Sequence, residues 1–223
     1  MKKRIGCLHA HYSNIAYMEQ AFASYEAELL HFVDPGLVSR VGSDEAFSLE
    51  DAQQKVNDQI AWIASCHVDA ILVTCTNYVA LLQEEKLSTT VPIIKIDEPF
   101  FQAICAREQP QILLFTNTAT VEGTLERLHA YAEACGKSPV VDVRIIEHTF
   151  ELIMQGKKEE YLRALTAYMH HLLSSQPDKE IAVAQLSMAE AARCIEEETG
   201  SSIVNPLETL MLHIEDNLEL SKK

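Results

Sequence analysis

One cysteine and one serine stand at similar places in two halves of this chain. Cys75 follows the apolar run Ile71-Leu-Val-Thr, and Ser187 follows Ile181-Ala-Val-Ala-Gln-Leu. Each run has an earlier companion, Ile5-Gly-Cys-Leu-His-Ala-His-Tyr-Ser13 in the first half and Ile112-Leu-Leu-Phe-Thr-Asn-Thr-Ala-Thr120 in the second. Cys75 lies 70 positions after Ile5, and Ser187 lies 75 positions after Ile112. A thiol between a strand end and a helix start gains from the helix dipole, which favours thiolate. Two such halves facing each other would form a cleft entered by Cys75 from one side and Ser187 from the other. That arrangement suits chemistry on two faces of one small molecule.

Other polar residues gather at the same strand ends. Thr76 and Asn77 offer a hydroxyl, an amide and helix-initial N–H groups able to cradle a carboxylate or an enolate oxygen. Thr116, Thr118 and Thr120 follow a strand and precede a helix, a neutral anion nest without glycines. Met188 accompanies Ser187, while His9 and Ser13 follow the first strand as polar walls. His9 and His11 form H-x-H, but no third ligand is suggested by spacing, so no metal is expected. No G-x-G-x-x-G or P-loop occurs, so no nucleotide cofactor is expected. Cys7, Cys66, Cys105, Cys135 and Cys194 read as structural thiols, and no C-x-x-C pair is present.

The chain has 223 residues, 48% of them apolar and 23% charged, enough for one large domain or two small ones. Its net charge of −15 argues against nucleic acid and against an anionic membrane surface. The apolar stretch after Met-Lys-Lys-Arg is too short for a signal segment, and no run is long enough to span a bilayer. A cytoplasmic protein with reduced cysteines is expected.

Strand-like and helix-like segments alternate. Strands are expected at 3–9, 31–34, 70–74, 91–96, 111–115, 140–146, 181–186 and 203–204. Helices are expected at 14–29, 49–65, 77–85, 120–135, 159–174, 188–198 and from 207 onward. Apolar, unalternating strands separated by helices imply parallel sheets covered on both faces. The expected fold is α/β, with two pseudo-symmetric domains, each a parallel sheet flanked by helices, and the active site in the cleft between them. The first would cover 1–98 and the second 99–205, with a helix at 206–223 packing back on the first. Ligands of such sheets sit beyond the carboxyl ends of the strands.

The segments Val73-Thr-Cys-Thr-Asn-Tyr78, Val91-Pro-Ile-Ile-Lys-Ile-Asp-Glu-Pro99, Phe115-Thr-Asn-Thr-Ala-Thr-Val-Glu-Gly123 and Ala184-Gln-Leu-Ser-Met-Ala-Glu-Ala191 resemble the aspartate/glutamate racemase superfamily. The resemblance implies no cofactor and two cysteines on opposite faces of a small carboxylate. One thiolate removes the α-proton and the other thiol returns a proton from the far side. Cys75 matches the first cysteine; Thr116 and Thr120 match the carboxylate-binding turn. Ser187 stands in for the second cysteine, and an alcohol shuttles protons poorly without a base beside it. The expectation is a racemase-like enzyme acting at the α-carbon. Its alternatives are a lyase or cis–trans isomerase of a dicarboxylate using Cys75 alone, or a binding protein that has lost the chemistry. Oligomeric state is left open, a homodimer included.

Overall fold

A computed structural model describes residues 2–223. They form two compact units, one reaching to Ile96 and including His213–Lys223, the other Asp97–Leu212.

In the first unit β1 (Lys3–His9), β2 (Ala27–Val33), β3 (Ala70–Val73) and β4 (Ile93–Lys95) form a parallel sheet ordered β2-β1-β3-β4. Around it run α1 (Ser13–Ala21), α2 (Pro35–Ser43), α3 (Leu49–Ala64) and α4 (Thr76–Leu81). In the second unit β5 (Gln111–Phe115), β6 (Val141–Ile145), β7 (Glu180–Val183) and β8 (Ile203–Val204) repeat that order as β6-β5-β7-β8, all parallel. Its helices are α5 (Asp97–Cys105), α6 (Val121–Ala134), α7 (Phe150–Met154), α8 (Lys158–Ser175) and α9 (Ala189–Thr199). The closing helix α10 (Pro206–Leu218) has residues in both units.

The local chemistry explains most of these elements. Ser48 and Asp51 form a reciprocal capping box that starts α3, which then buries Ala52, Val56, Ile60 and Ile63 on one stripe. Gly200, at φ 71°, ends α9 in the left-handed conformation that glycine adopts without strain. In the second sheet the central strands β5 and β7 bury apolar residues on both faces. Ile112, Leu114, Ile181 and Val183 pack with α8 and α9, while Leu113, Phe115 and Ala182 pack with α5 and α6. In the first, Leu8, Ile71 and Val73 join the stripe of α3. That helix approaches β1 so closely that a Cβ on Gly6 would lie 2.3 Å from Ile63 Cγ2.

Several expectations are corrected. The expected helix at 14–29 stops at Ala21, and its last residues belong to β2, which pairs with β1 along its whole length. Edge-strand β2 has only partial burial, so neither period stands out in its sequence. Asp34-Pro35-Gly36 follows the end of β2 at Val33 and starts α2, a helix that was not expected. The Asp34 carboxylate accepts the Gly36 N–H at 2.9 Å, and proline suits the first helical turn. Helices α5 and α7 were not expected. Helix α4 ends at Leu81 rather than near Glu85, and β7 ends at Val183 rather than at Leu186.

Candidate active site

In each sheet the strand order reverses beside the first strand, between β1 and β3 and between β5 and β7. Loops leaving the carboxyl ends at such a switch point diverge and leave a crevice for ligands. Cys75 lies two residues past the end of β3, as the extended residue from which α4 begins, and is half-buried. Thr76 and Asn77 form the first turn of α4, Thr76 half-buried and Asn77 exposed. Ser13 opens α1 and is exposed, its hydroxyl 2.8 Å from His11 Nδ1.

His9 is not a wall of an open crevice. It is fully buried, with Nδ1 2.7 Å from the Thr74 hydroxyl and Nε2 2.9 Å from His31 Nδ1. His31 Nε2 in turn lies 2.9 Å from the Glu19 carboxylate. Burial first, and the neighbouring His31 second, push His9 down to about 4, so the ring is neutral near pH 7. The Thr74 hydroxyl also donates to Leu8 O at 3.2 Å, and Asn14 Nδ2 donates to Thr74 O at 3.4 Å. The residue preceding Cys75 is thus tied to β1, α1 and buried His9, which in turn contacts half-buried His31. One helical turn beyond Cys75, fully buried Tyr78 donates to Asp34 O at 2.7 Å, and burial raises its phenol.

The second unit corrects the pairing of Cys75 with Ser187. Leu8 pairs with Val73, and Leu114 with Val183. Thr74 N donates to Leu8 O at 3.0 Å, and Ala184 N donates to Leu114 O at 2.9 Å. The residue after Thr74 is Cys75, and the residue after Ala184 is Gln185. Their backbones agree, φ −122° and ψ 121° for Cys75 against φ −128° and ψ 141° for Gln185. Each carbonyl then accepts the first helical N–H bond of its turn, at 3.0 Å in both cases. Gln185 is therefore the counterpart of Cys75, and Ser187 lies two residues further on. Counting from apolar runs missed this because the loops between strands differ in length in the two halves.

Gln185 also occupies the expected anion nest. Its Oε1 accepts from Thr116 N at 2.8 Å, Asn117 N at 3.2 Å and Thr116 Oγ1 at 2.7 Å, while Nε2 donates to Thr120 Oγ1 at 3.1 Å. Backbone N–H groups only donate, so they fix which end of the amide faces them. Thr116 is buried, Thr120 half-buried and Thr118 exposed. Half-buried Ser187 lies 2.9 Å from the hydroxyl of buried Tyr161. Met188 does not line a site: its side chain is fully buried in the apolar core under α8 and α9.

Thr74, His31, Glu19, Gln185 and Tyr161 are the residues that sequence reasoning missed. Thr74 and Gln185 stood inside the quoted motifs beside the residues chosen. His31 and Tyr161 come from distant segments, and each reaches the strand ends of its own unit only through strand pairing or helix packing.

All six cysteines are unpaired with one another. Among the described residues, no helix is long and apolar enough to cross a membrane.

By sequence the chain matches no family model and no curated protein. By structure it is similar to the aspartate racemase of Picrophilus torridus, with a TM-score of 0.67 at 12% identity, covering 99% of this chain and 96% of that one. The allantoin racemase of Klebsiella pneumoniae has a TM-score of 0.67 at 16% identity, over 97% of this chain and 88% of that one. The glutamate racemase of Francisella tularensis, solved in complex with D-glutamate, has a TM-score of 0.64 at 12% identity, over 98% and 81% respectively. What is shared at these identities is the fold: two parallel four-stranded sheets flanked by helices, as in the aspartate, glutamate and allantoin racemases.

Proposed function

We propose that the chain is a racemase-like enzyme of the isomerase kind that moves a proton at the carbon next to a carboxylate, with Cys75 as the acid–base group. The observation that carries this reading is the position of Cys75, a half-buried thiol at the switch point of a sheet with the racemase fold. Thr74 fixes the strand end beneath it, through His9, Asn14 and Leu8. Thr76, Asn77 and Ser13 supply hydroxyl, amide and N–H groups to hold carboxylate oxygens. The thiolate takes the α-proton, becoming a thiol, and the carbanion charge spreads into the adjacent carboxylate as an enolate. A thiol's ordinary value, about 1.5 units above neutrality, lets it both take and return a proton.

The amide of Gln185, at the place equivalent to Cys75, does not ionise in this range and serves as neither acid nor base. That observation favours one-base chemistry over a symmetric two-thiol exchange: Cys75 removes the proton from one face and returns it there, or to the other face once the planar enolate has turned over. An isomerisation or elimination of a dicarboxylate using Cys75 alone is the second reading, on the same ground. Ser187, bonded to Tyr161, and the exposed hydroxyl of Thr118 are assigned as polar groups of the second unit's own strand ends rather than as a second base.

The test is solvent-deuterium exchange at Cα across a panel of small amino and dicarboxylic acids, with the parent and Cys75→Ser. Exchange or double-bond isomerisation with at least one acid, at least 100-fold slower in Cys75→Ser, is expected. A parent that turns over none of them, or activity unchanged by Cys75→Ser, overturns the assignment.

A further inference from the structure

Among the described residues one cluster brings together three side chains able to ligate a transition metal: Cys7, His9 and His31. Their ligand atoms all lie within 4.8 Å of one another. The sheet builds the cluster. Cys7 and His9 are two apart on β1 and share a face, and His31 on β2 stands directly opposite Cys7. We propose that Cys7, His9 and His31 form a binding site for one divalent ion of the zinc class.

The donor set is the first argument. One thiolate and two imidazoles suit zinc and its close relatives, and calcium or magnesium would need oxygen ligands. Tetrahedral zinc with bonds of about 2.0–2.3 Å spaces its ligand atoms about 3.3–3.6 Å apart. His9 Nε2 and His31 Nδ1, now 2.9 Å apart, would separate slightly, and Cys7 Sγ, within 4.8 Å of the histidine ligand atoms, would move inward.

The outer shell is the second argument, and it is independent of the first. A metal-bound histidine needs its other ring nitrogen held by an acceptor. His31 Nε2 is 2.9 Å from the Glu19 carboxylate, and His9 Nδ1 is 2.7 Å from the Thr74 hydroxyl, which donates its own proton to Leu8 O. With those partners as acceptors, both ring protons sit on the outer nitrogens. The two lone pairs that then face each other at 2.9 Å need a positive charge between them, which a proton or a metal ion supplies.

The protons balance. With both ring protons on the outer nitrogens the histidines bind through the nitrogens that face each other, and any proton held between those nitrogens leaves to solvent together with the Cys7 thiol proton. Ion, thiolate and Glu19 carboxylate together sum to zero charge. Glu19 is 60% exposed and the His31 side chain 15%, so the ion enters from the side of α1. A water completes the fourth position. The ion would hold Thr74, and with it the start of the Cys75 turn, without taking part in the chemistry proposed for Cys75.

Cobalt(II) titration into the metal-free full chain tests this without reference to activity. One equivalent should give strong tetrahedral bands in the visible and a thiolate-to-cobalt charge-transfer band in the near ultraviolet. Both should persist in Cys75→Ser. The charge-transfer band should vanish in Cys7→Ser, and His31→Gln, on the edge strand, should lose the tetrahedral intensity. Circular dichroism establishes that each variant is folded. Glu19→Gln keeps all three ligands, lies on the surface, and should weaken binding by about 10–100-fold. Weak octahedral bands at one equivalent, a charge-transfer band surviving Cys7→Ser or lost in Cys75→Ser, or affinity unchanged in Glu19→Gln would each overturn the site.

Discussion

Removing the Gln185 side chain tests the second unit's turn most directly. Its amide makes four hydrogen bonds, three of them at one oxygen. Each is worth about 1 kcal/mol net, and a donor left dry would cost more. Gln185 is half-buried, so water will reach part of the vacated space. Gln185→Ala should therefore destabilise the protein by about 3 kcal/mol, lowering the melting temperature by roughly 6–12 °C for a chain of this size. The vacated donors should then take an external oxyanion. Acetate should raise the melting temperature of Gln185→Ala and leave the parent little changed after correction for ionic strength. Gln185→Glu sharpens the argument by placing a charged oxygen on the same three donors, and should stay within about 1 kcal/mol of the parent at pH 7. Those donors hold the new carboxyl below its unfolded value, so its stabilisation is present above about pH 4.3 and is lost as pH falls through the folded value. Urea denaturation and thermal melts measure all of this. A loss under about 0.5 kcal/mol in Gln185→Ala, or equal acetate effects in both proteins, would refute the reading of this turn as an anion nest filled from within.

Two further outcomes follow from the geometry. Gly6→Ala forces a methyl to 2.3 Å from Ile63 in a packed layer and should cost about 1–3 kcal/mol in urea titrations; a neutral result would mean that α3 is free to withdraw from β1. If position 185 is the true counterpart of Cys75, Gln185→Cys should add a second exchangeable group and increase deuterium exchange at Cα, whereas Ser187→Cys should not; the reverse order would restore Ser187 as the counterpart.

Much of the fold was legible because buried parallel strands carry a strong local signature. Gln111–Phe115 is apolar from Ile112 onward, ends in a polar cluster, and forms the strand expected at 111–115. Ile203–Val204 and Lys3–His9 likewise match to the residue. Segments were misread where local and tertiary preferences compete. Residues 22–29 carry enough alanine, glutamate and leucine to read as helix, yet β1 needs a hydrogen-bonding neighbour from Ala27 onward, and pairing decides.

The site divides in the same way. Residue type and order alone determined that Cys75 follows a buried strand and precedes a polar helix start, because both signals lie within ten residues. Sequence also placed Thr116 and Thr120 beside a strand end. Tertiary structure decided what these groups touch. It put Gln185 in the nest, sank Met188 into the core, and joined His9 to His31 and Thr74. Each of those outcomes depends on register between strands far apart in the chain. A shift of one residue turns every side chain of a strand to the opposite face, and no local pattern in this sequence encodes that choice.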